Sequence, residues 1–205
     1  MYRSFLKAKN DFLKAAERAY LCGIQTGTGG NLSVRVPGTD LMIVKPSGFA
    51  YGQCNEENLT ITNFNGELCE GTYKPTQECT LHGSLYRRYS NIGGIVHTHS
   101  PYSILISLNS NQLDLVTMHS ELKFKSPIKV VDVTTQSVTE EEIKKIYKIM
   151  DEDSKIPAFI LKGHGIVAMA QSAEKAEQIA ELVEETAKIQ WNNMLLNNKK
   201  GAYYD

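Results

Sequence analysis

The spacing of the turn signals restricts this chain more than any other feature. Pro37-Gly38 parts the alternating run Leu32, Val34, Val36 from Leu41 to Lys45, and Asn65-Gly66 parts Leu59 to Phe64 from Glu67 and Leu68. Gly163-His164-Gly165 parts Ala158 to Leu161 from Ile166 to Ala170. Parallel neighbours need a crossover of a dozen or more residues, so strands joined this closely pair antiparallel. Helical patterns lie between them. Phe5, Ala8, Phe12, Ala15, Ala16 and Ala19 recur at helical spacing, with Gly23 as a stop. Leu81, Leu85 and Tyr89 predict a helix from Thr76 to Tyr89 after Pro75, and Tyr102 to Leu108 predicts another. Thr139-Glu140-Glu141-Glu142 has capping-box spacing and opens a helix to about Met150, and a long helix runs from about Ala173 to Leu195. With Ile92 to His99 as a short apolar strand, the interleaving predicts an α/β fold. It reads as one layered α/β/α domain over residues 1–205, around a mixed, largely antiparallel sheet.

Composition narrows the function. Of 205 residues, 41% are hydrophobic and 22% charged, enough apolar material for a sizeable core. Lysine plus arginine total 22 against 23 acidic residues, so no net field draws the chain to nucleic acid. The charged N-terminal segment lacks a signal-peptide core, and no apolar run approaches the roughly 18 residues that cross a bilayer. Cys22, Cys54, Cys69 and Cys79 form no C-x-x-C pair, which fits free thiols in a reducing compartment. The chain therefore reads as cytoplasmic, with neither nucleic acid nor membrane as partner.

His97-Thr98-His99 ends the apolar strand. Residues i and i+2 project from one face of a strand, so both imidazoles can reach one ion. His164, between two glycines at a strand-to-strand turn, supplies a third. Three histidines with an open position describe a catalytic zinc site, whereas an H-x-H pair that faces solvent or bonds to backbone is the bland alternative. Glu78 and His82 lie four apart on the predicted helix, so both can face one pocket. Thr28-Gly29-Gly30-Asn31 and Lys45-Pro46-Ser47-Gly48 bring freed backbone amides, small hydroxyls and one ammonium group, an inventory suited to phosphate. Neither stretch is a P-loop or a Rossmann fingerprint.

Taken in order, these motifs resemble the class II aldolase and adducin superfamily over essentially the whole chain. The resemblance extends to two of its branches, the L-ribulose-5-phosphate 4-epimerases and the L-fuculose-1-phosphate aldolases. His119-Ser120-Glu121 and the terminal Gly201-Ala202-Tyr203-Tyr204 are similar to the epimerase branch, while Glu78 is the aldolase choice. Thr76-Gln77 stands where both branches have a phosphate-binding Ser-Ser pair.

The resemblance implies Zn2+, or another divalent transition metal, on His97, His99 and His164. It implies a sugar phosphate held by Thr28, Asn31, Lys45, Ser47, Gly48, Thr76 and Gln77. Acid–base work falls to Glu121 and Tyr204, with Glu78 beside the metal as base or orienting group. It further implies retro-aldol chemistry on a ketose phosphate, with C4 epimerisation of a pentulose 5-phosphate preferred. The alternative is cleavage of a ketose 1-phosphate such as L-fuculose 1-phosphate. A homotetramer with active sites between subunits is implied as well. The adducin head domain is a non-catalytic interaction module that lacks the metal histidines; all three are present here.

Overall fold

The computed structural model describes residues 2–25, 27–135, 137–153 and 156–201, with 198–201 described by backbone alone. Six α-helices are found in it: α1 (Tyr2–Leu21), α2 (Cys79–Arg88), α3 (Pro101–Asn109), α4 (Met118–Lys123), α5 (Glu140–Glu152) and α6 (Ala173–Gly201). The strands are β1 (Asn31–Arg35), β2 (Leu41–Val44), β3 (Thr60–Asn63), β4 (Leu68–Glu70), β5 (Gly94–Thr98), β6 (Gln112–Leu113), β7 (Ile128–Val131), β8 (Ala158–Leu161) and β9 (Gly165–Ala170). They form one sheet in the order β4-β3-β2-β1-β5-β9-β8-β7-β6. The hairpins predicted from the turn residues are present as antiparallel pairs. Among the described residues the one parallel pair is β7 with β8, and the crossover it requires carries helix α5.

Period-2 alternation sends side chains to two cores. Leu32, Val34, Val96, Ile160, Ile166 and Ala168 face α1, α3 and α6, while Ile95, Phe159, Leu161, Val167 and Met169 face α2 and α5. Ala173, Ala176, Ala180, Val183 and Ala187 form the buried stripe of α6, small enough to seat that helix close against β5 and β9. Its first turn is capped by a residue distant in sequence. Asp11 accepts from the backbone amides of Ala173 (2.8 Å) and Glu174 (3.1 Å), which satisfies two orphan donors and ties α1 to α6.

Two departures from the sequence reading affect the site. The second helix begins at Cys79 rather than Thr76, so Glu78 is its N-cap and Thr76 and Gln77 belong to the preceding loop. Helix α4 and strands β6 and β7, where the sequence reading placed nothing, occupy residues 112 to 131 and close one edge of the sheet. Each is at most six residues long, too short to show a period. Among the described residues no helix is long and apolar enough to cross a membrane, and the four cysteines are free.

Candidate metal and phosphate site

Strand pairing assembles the metal end. His97 on β5 stands opposite Asn31 on β1 and Val167 on β9, at the centre of the sheet. Its Nδ1 lies 2.7 Å from the Ile166 carbonyl, so Nδ1–H donates and the Nε2 lone pair points away from the sheet. Around that lone pair lie His99 Nε2 at 3.1 Å, His164 Nε2 at 3.4 Å and Glu78 Oε2 at 3.4 Å. Gly165 allows the third histidine to come so near. Its φ is +151°, and a Cβ there would sit 2.1 Å from the Thr98 carbonyl oxygen. The Tyr51 hydroxyl lies 2.7 Å and 2.8 Å from the carbonyls of Asn31 and His97, where its one proton can serve either and hold the two strands in register.

Electrostatics fit a cation at this point. Burial pulls each of the three imidazoles down to about 4, so all are neutral at physiological pH and offer lone pairs. Glu78 is pushed up by burial, opposed by the amide of Asn31, whose Nδ2 donates to Oε2 at 2.5 Å. Its other oxygen, Oε1, is buried with no hydrogen-bond partner among the described residues. Nitrogen and oxygen acceptors converging with few donors among them suit a divalent transition metal. A hard ion such as magnesium would favour an all-oxygen set.

The second end of the cleft is anionic in its preference. The cavity is about 580 Å³ and is lined by all the residues expected to hold phosphate: Thr28, Asn31, Lys45, Ser47, Gly48, Thr76 and Gln77, together with Glu78, His99 and His164. Lys45 is 2% exposed, and its Nζ donates to the carbonyls of Thr28 (3.1 Å) and Phe49 (2.5 Å). No carboxylate among the described residues pairs with it. Bonds from a charged donor contribute about 1.5–3 kcal/mol each, whereas desolvating an ammonium costs several. Burial accordingly lowers the Lys45 pKa, and an anion in the cleft would supply the missing counter-charge.

Other expected residues lie elsewhere. His82 does not share the cleft with Glu78, because Glu78 precedes the helix and the four-residue spacing no longer sets a common face. Its ring is fully buried, 2.7 Å from Ser33 Oγ, and burial pulls it down to about 3. Glu121 is exposed on α4 and does not line the cleft. The neighbouring His119 and Lys123 border a separate groove against α6. Tyr203 and Tyr204 lie outside the described residues.

The sequence reading also missed one wall of the cleft, made by Val133, Thr134, Thr135, Ser137 and Lys162. Glu142 was legible as a capping-box residue, but its carboxylate also accepts from the amide of Thr134 at 2.6 Å and so pins this wall. Lys162 precedes the Gly163-His164-Gly165 turn and could have been noticed there. Nothing in the sequence tied residues 133–137 to it.

Residues 10–191 match the family model described as Class II Aldolase and Adducin N-terminal domain. The chain belongs to this family. It is 32% identical over 190 residues to an L-fuculose phosphate aldolase of Methanococcus maripaludis, covering 93% of this chain and 98% of that one. Among solved structures, an L-fuculose 1-phosphate aldolase superposes with a TM-score of 0.81 at 27% identity, over 93% of this chain and 87% of that one. The L-fuculose-1-phosphate aldolase of Thermus thermophilus gives 0.80 at 23% identity, over 94% and 97% respectively, a likeness of fold. These likenesses favour the aldolase alternative over the epimerase reading preferred from the sequence.

Proposed function

We propose that this protein is a metal-dependent aldolase that cleaves a ketose 1-phosphate between C3 and C4. The observation that carries the reading is the single cleft in which three neutral histidines and Glu78 adjoin a buried lysine that has no counter-ion among the described residues. A divalent metal on His97, His99 and His164, zinc by preference, would act as a Lewis acid on the ketose carbonyl and contribute several kcal/mol.

The chain's own residues do the rest. Thr28, Asn31, Ser47, Gly48, Thr76, Gln77 and the charge of Lys45 hold the phosphate and so fix the sugar chain relative to Glu78. As the C3–C4 bond breaks, the C4 hydroxyl loses its proton, C4 becomes an aldehyde, and the electron pair stays with the three-carbon fragment. Glu78 delivers a proton to C3 of that fragment and removes it in the reverse direction; its raised pKa favours a group that must carry a proton in one half of the cycle. The aldehyde half lies against the wall of Thr134, Thr135 and Lys162.

Tyr204 enters this scheme from a neighbouring copy, in a homotetramer whose sites are shared, whereas Glu121, exposed on α4, carries no step of the cleavage. In that arrangement Tyr204 takes the C4 hydroxyl proton. The free thiols support a cytoplasmic setting. The reading is tested by incubating the metal-loaded protein with L-fuculose 1-phosphate and a panel of ketose 1-phosphates and assaying dihydroxyacetone phosphate. Release that stops with a chelator and returns with metal supports it. Recovery of an epimeric sugar phosphate without free aldehyde would return the assignment to the epimerase.

A further inference from the structure

We infer that Gln25 is a positioning residue that couples the two ends of the cleft, so that an anion in the glycine-rich loop tightens the hold of the histidines on a metal. The inference rests on the metal and phosphate reading above and concerns a residue that reading does not use.

Gln25 is 7% exposed and sits between the loop and the metal strand. Its Oε1 accepts from the backbone amide of His99 at 2.7 Å, just beyond the end of β5 at Thr98. His99 is thereby held where no strand pairing holds it. A second bond crosses the same junction in the same direction, from Ser100 Oγ to the Ile24 carbonyl at 2.8 Å, with Thr98 Oγ1 2.7 Å from Ser100 Oγ. Residues 24 and 25 are thus fastened to residues 98 to 100 by two bonds, donated by His99 and Ser100.

The other side of Gln25 is filled by the loop. A Cβ on Gly29 would lie 2.8 Å from Gln25 Nε2 and 2.9 Å from His99 Nδ1. A Cβ on Gly30 would lie 2.5 Å from Gln25 Oε1 and 2.5 Å from the His97 carbonyl oxygen. The two glycines therefore admit the Gln25 amide as a wedge between the phosphate loop and both histidines of the strand. Thr28 and Asn31, which flank these glycines, line the cleft. An anion that draws the loop inward presses on the wedge, and the wedge sets the His99 backbone. Coupling of this kind is reciprocal and is typically 5- to 150-fold between two sites.

The test uses cobalt(II) alone as the metal probe and inorganic phosphate as the anion, with affinity read by competition against a chromophoric chelator. In the wild type, saturating phosphate should tighten cobalt binding about fivefold or more. In Gln25→Ala the gain should fall below about twofold, the d–d spectrum should change as the His99 ligand loosens, and cobalt affinity without phosphate should drop about 10-fold or more. Gln25→Met keeps the volume and loses the acceptor, so it should reproduce the loss of coupling even if the alanine variant folds poorly. Direct coordination of phosphate to the metal would leave the coupling intact in both variants and would overturn the inference. So would a wild type that binds both probes independently. A wild type that binds neither cobalt nor phosphate would overturn the metal and phosphate reading itself.

Discussion

On one side of the cleft Asn31, Lys45 and Glu78 are buried and pinned: Asn31 by strand pairing and by Tyr51, Lys45 by Thr28 and Phe49, and Glu78 by the amide of Asn31. On the other side Thr134, Thr135, Ser137 and Lys162 are exposed, and the loop depends on one buried carboxylate, Glu142. The difference separates two tasks. In the proposed function the pinned side presents a fixed constellation to the part of the substrate common to every turnover, the phosphate and the reacting carbons. The exposed side can change its residues without disturbing the sheet, which is where discrimination among aldehydes belongs.

Substitutions on the pinned side should cost most. His97→Ala should remove the metal and lower kcat/KM by about 10³-fold or more, since several kcal/mol of Lewis-acid stabilisation goes with it. Far-UV circular dichroism should stay close to wild type. Full metal content in that variant, by elemental analysis, would take His97 out of the ligand set. Lys45→Met should raise KM for the sugar phosphate about 10- to 100-fold with a smaller change in kcat, because it removes a charge-assisted contact to the phosphate. It should also lower stability, as the carbonyls of Thr28 and Phe49 lose their donor. A KM unchanged within twofold would confine Lys45 to holding the loop.

This contrast also explains what the sequence made legible. The histidine strand, the Gly163-His164-Gly165 turn and the glycine-rich loop could be read because each is forced by local chemistry: a strand period, a positive φ, an absent Cβ. The long-range contacts left no such mark. Asp11 capping α6 and Glu184 capping α3 through Tyr102 and Ser103 join residues far apart in the chain. Gln25 reads as an ordinary loop residue until His99 is placed beside it. Glu78 and His82 misled for a related reason: the spacing assumed a helix that contains both, and the helix starts one residue after Glu78.

On the exposed side the effects should be smaller. Glu142→Gln should cost about 1 kcal/mol of stability, the scale of a capping interaction. Burial pushes the Glu142 carboxyl up, but bonds from Thr139 and Thr134 outweigh it and hold the pKa at about 2, below its value in the unfolded chain. A depressed carboxylate stabilises the fold above the unfolded value and loses that contribution as pH falls. The gap between wild type and variant in urea unfolding should therefore be full above about pH 4.5 and close towards pH 2. A gap that does not vary with pH would mean that the charge of Glu142 contributes nothing. Lys162→Met should change kcat/KM several-fold, and by different factors for different aldehydes in the condensation direction, since its ion pair with Asp132 is long at 3.7 Å and leaves the ammonium available. Equal factors across the panel would remove it from recognition. Glu121→Gln should leave cleavage within about twofold, because Glu121 does not line the cleft of its own chain. A tenfold loss at unchanged metal content would assign Glu121 to acid–base work in a neighbouring subunit's cleft.

In the proposed function the pinned side alone, with its metal and Glu78, moves a proton to and from C3 of a phosphorylated three-carbon ketone whatever the aldehyde. Proton NMR of dihydroxyacetone phosphate with the metal-loaded protein in D2O tests this with no aldehyde present. Stereospecific exchange of one of the two hydrogens on the hydroxymethyl carbon is expected, absent with chelator and absent in Glu78→Gln at full metal content. Metal-loaded protein that binds dihydroxyacetone phosphate and exchanges neither hydrogen, or exchange undiminished in Glu78→Gln, would contradict it.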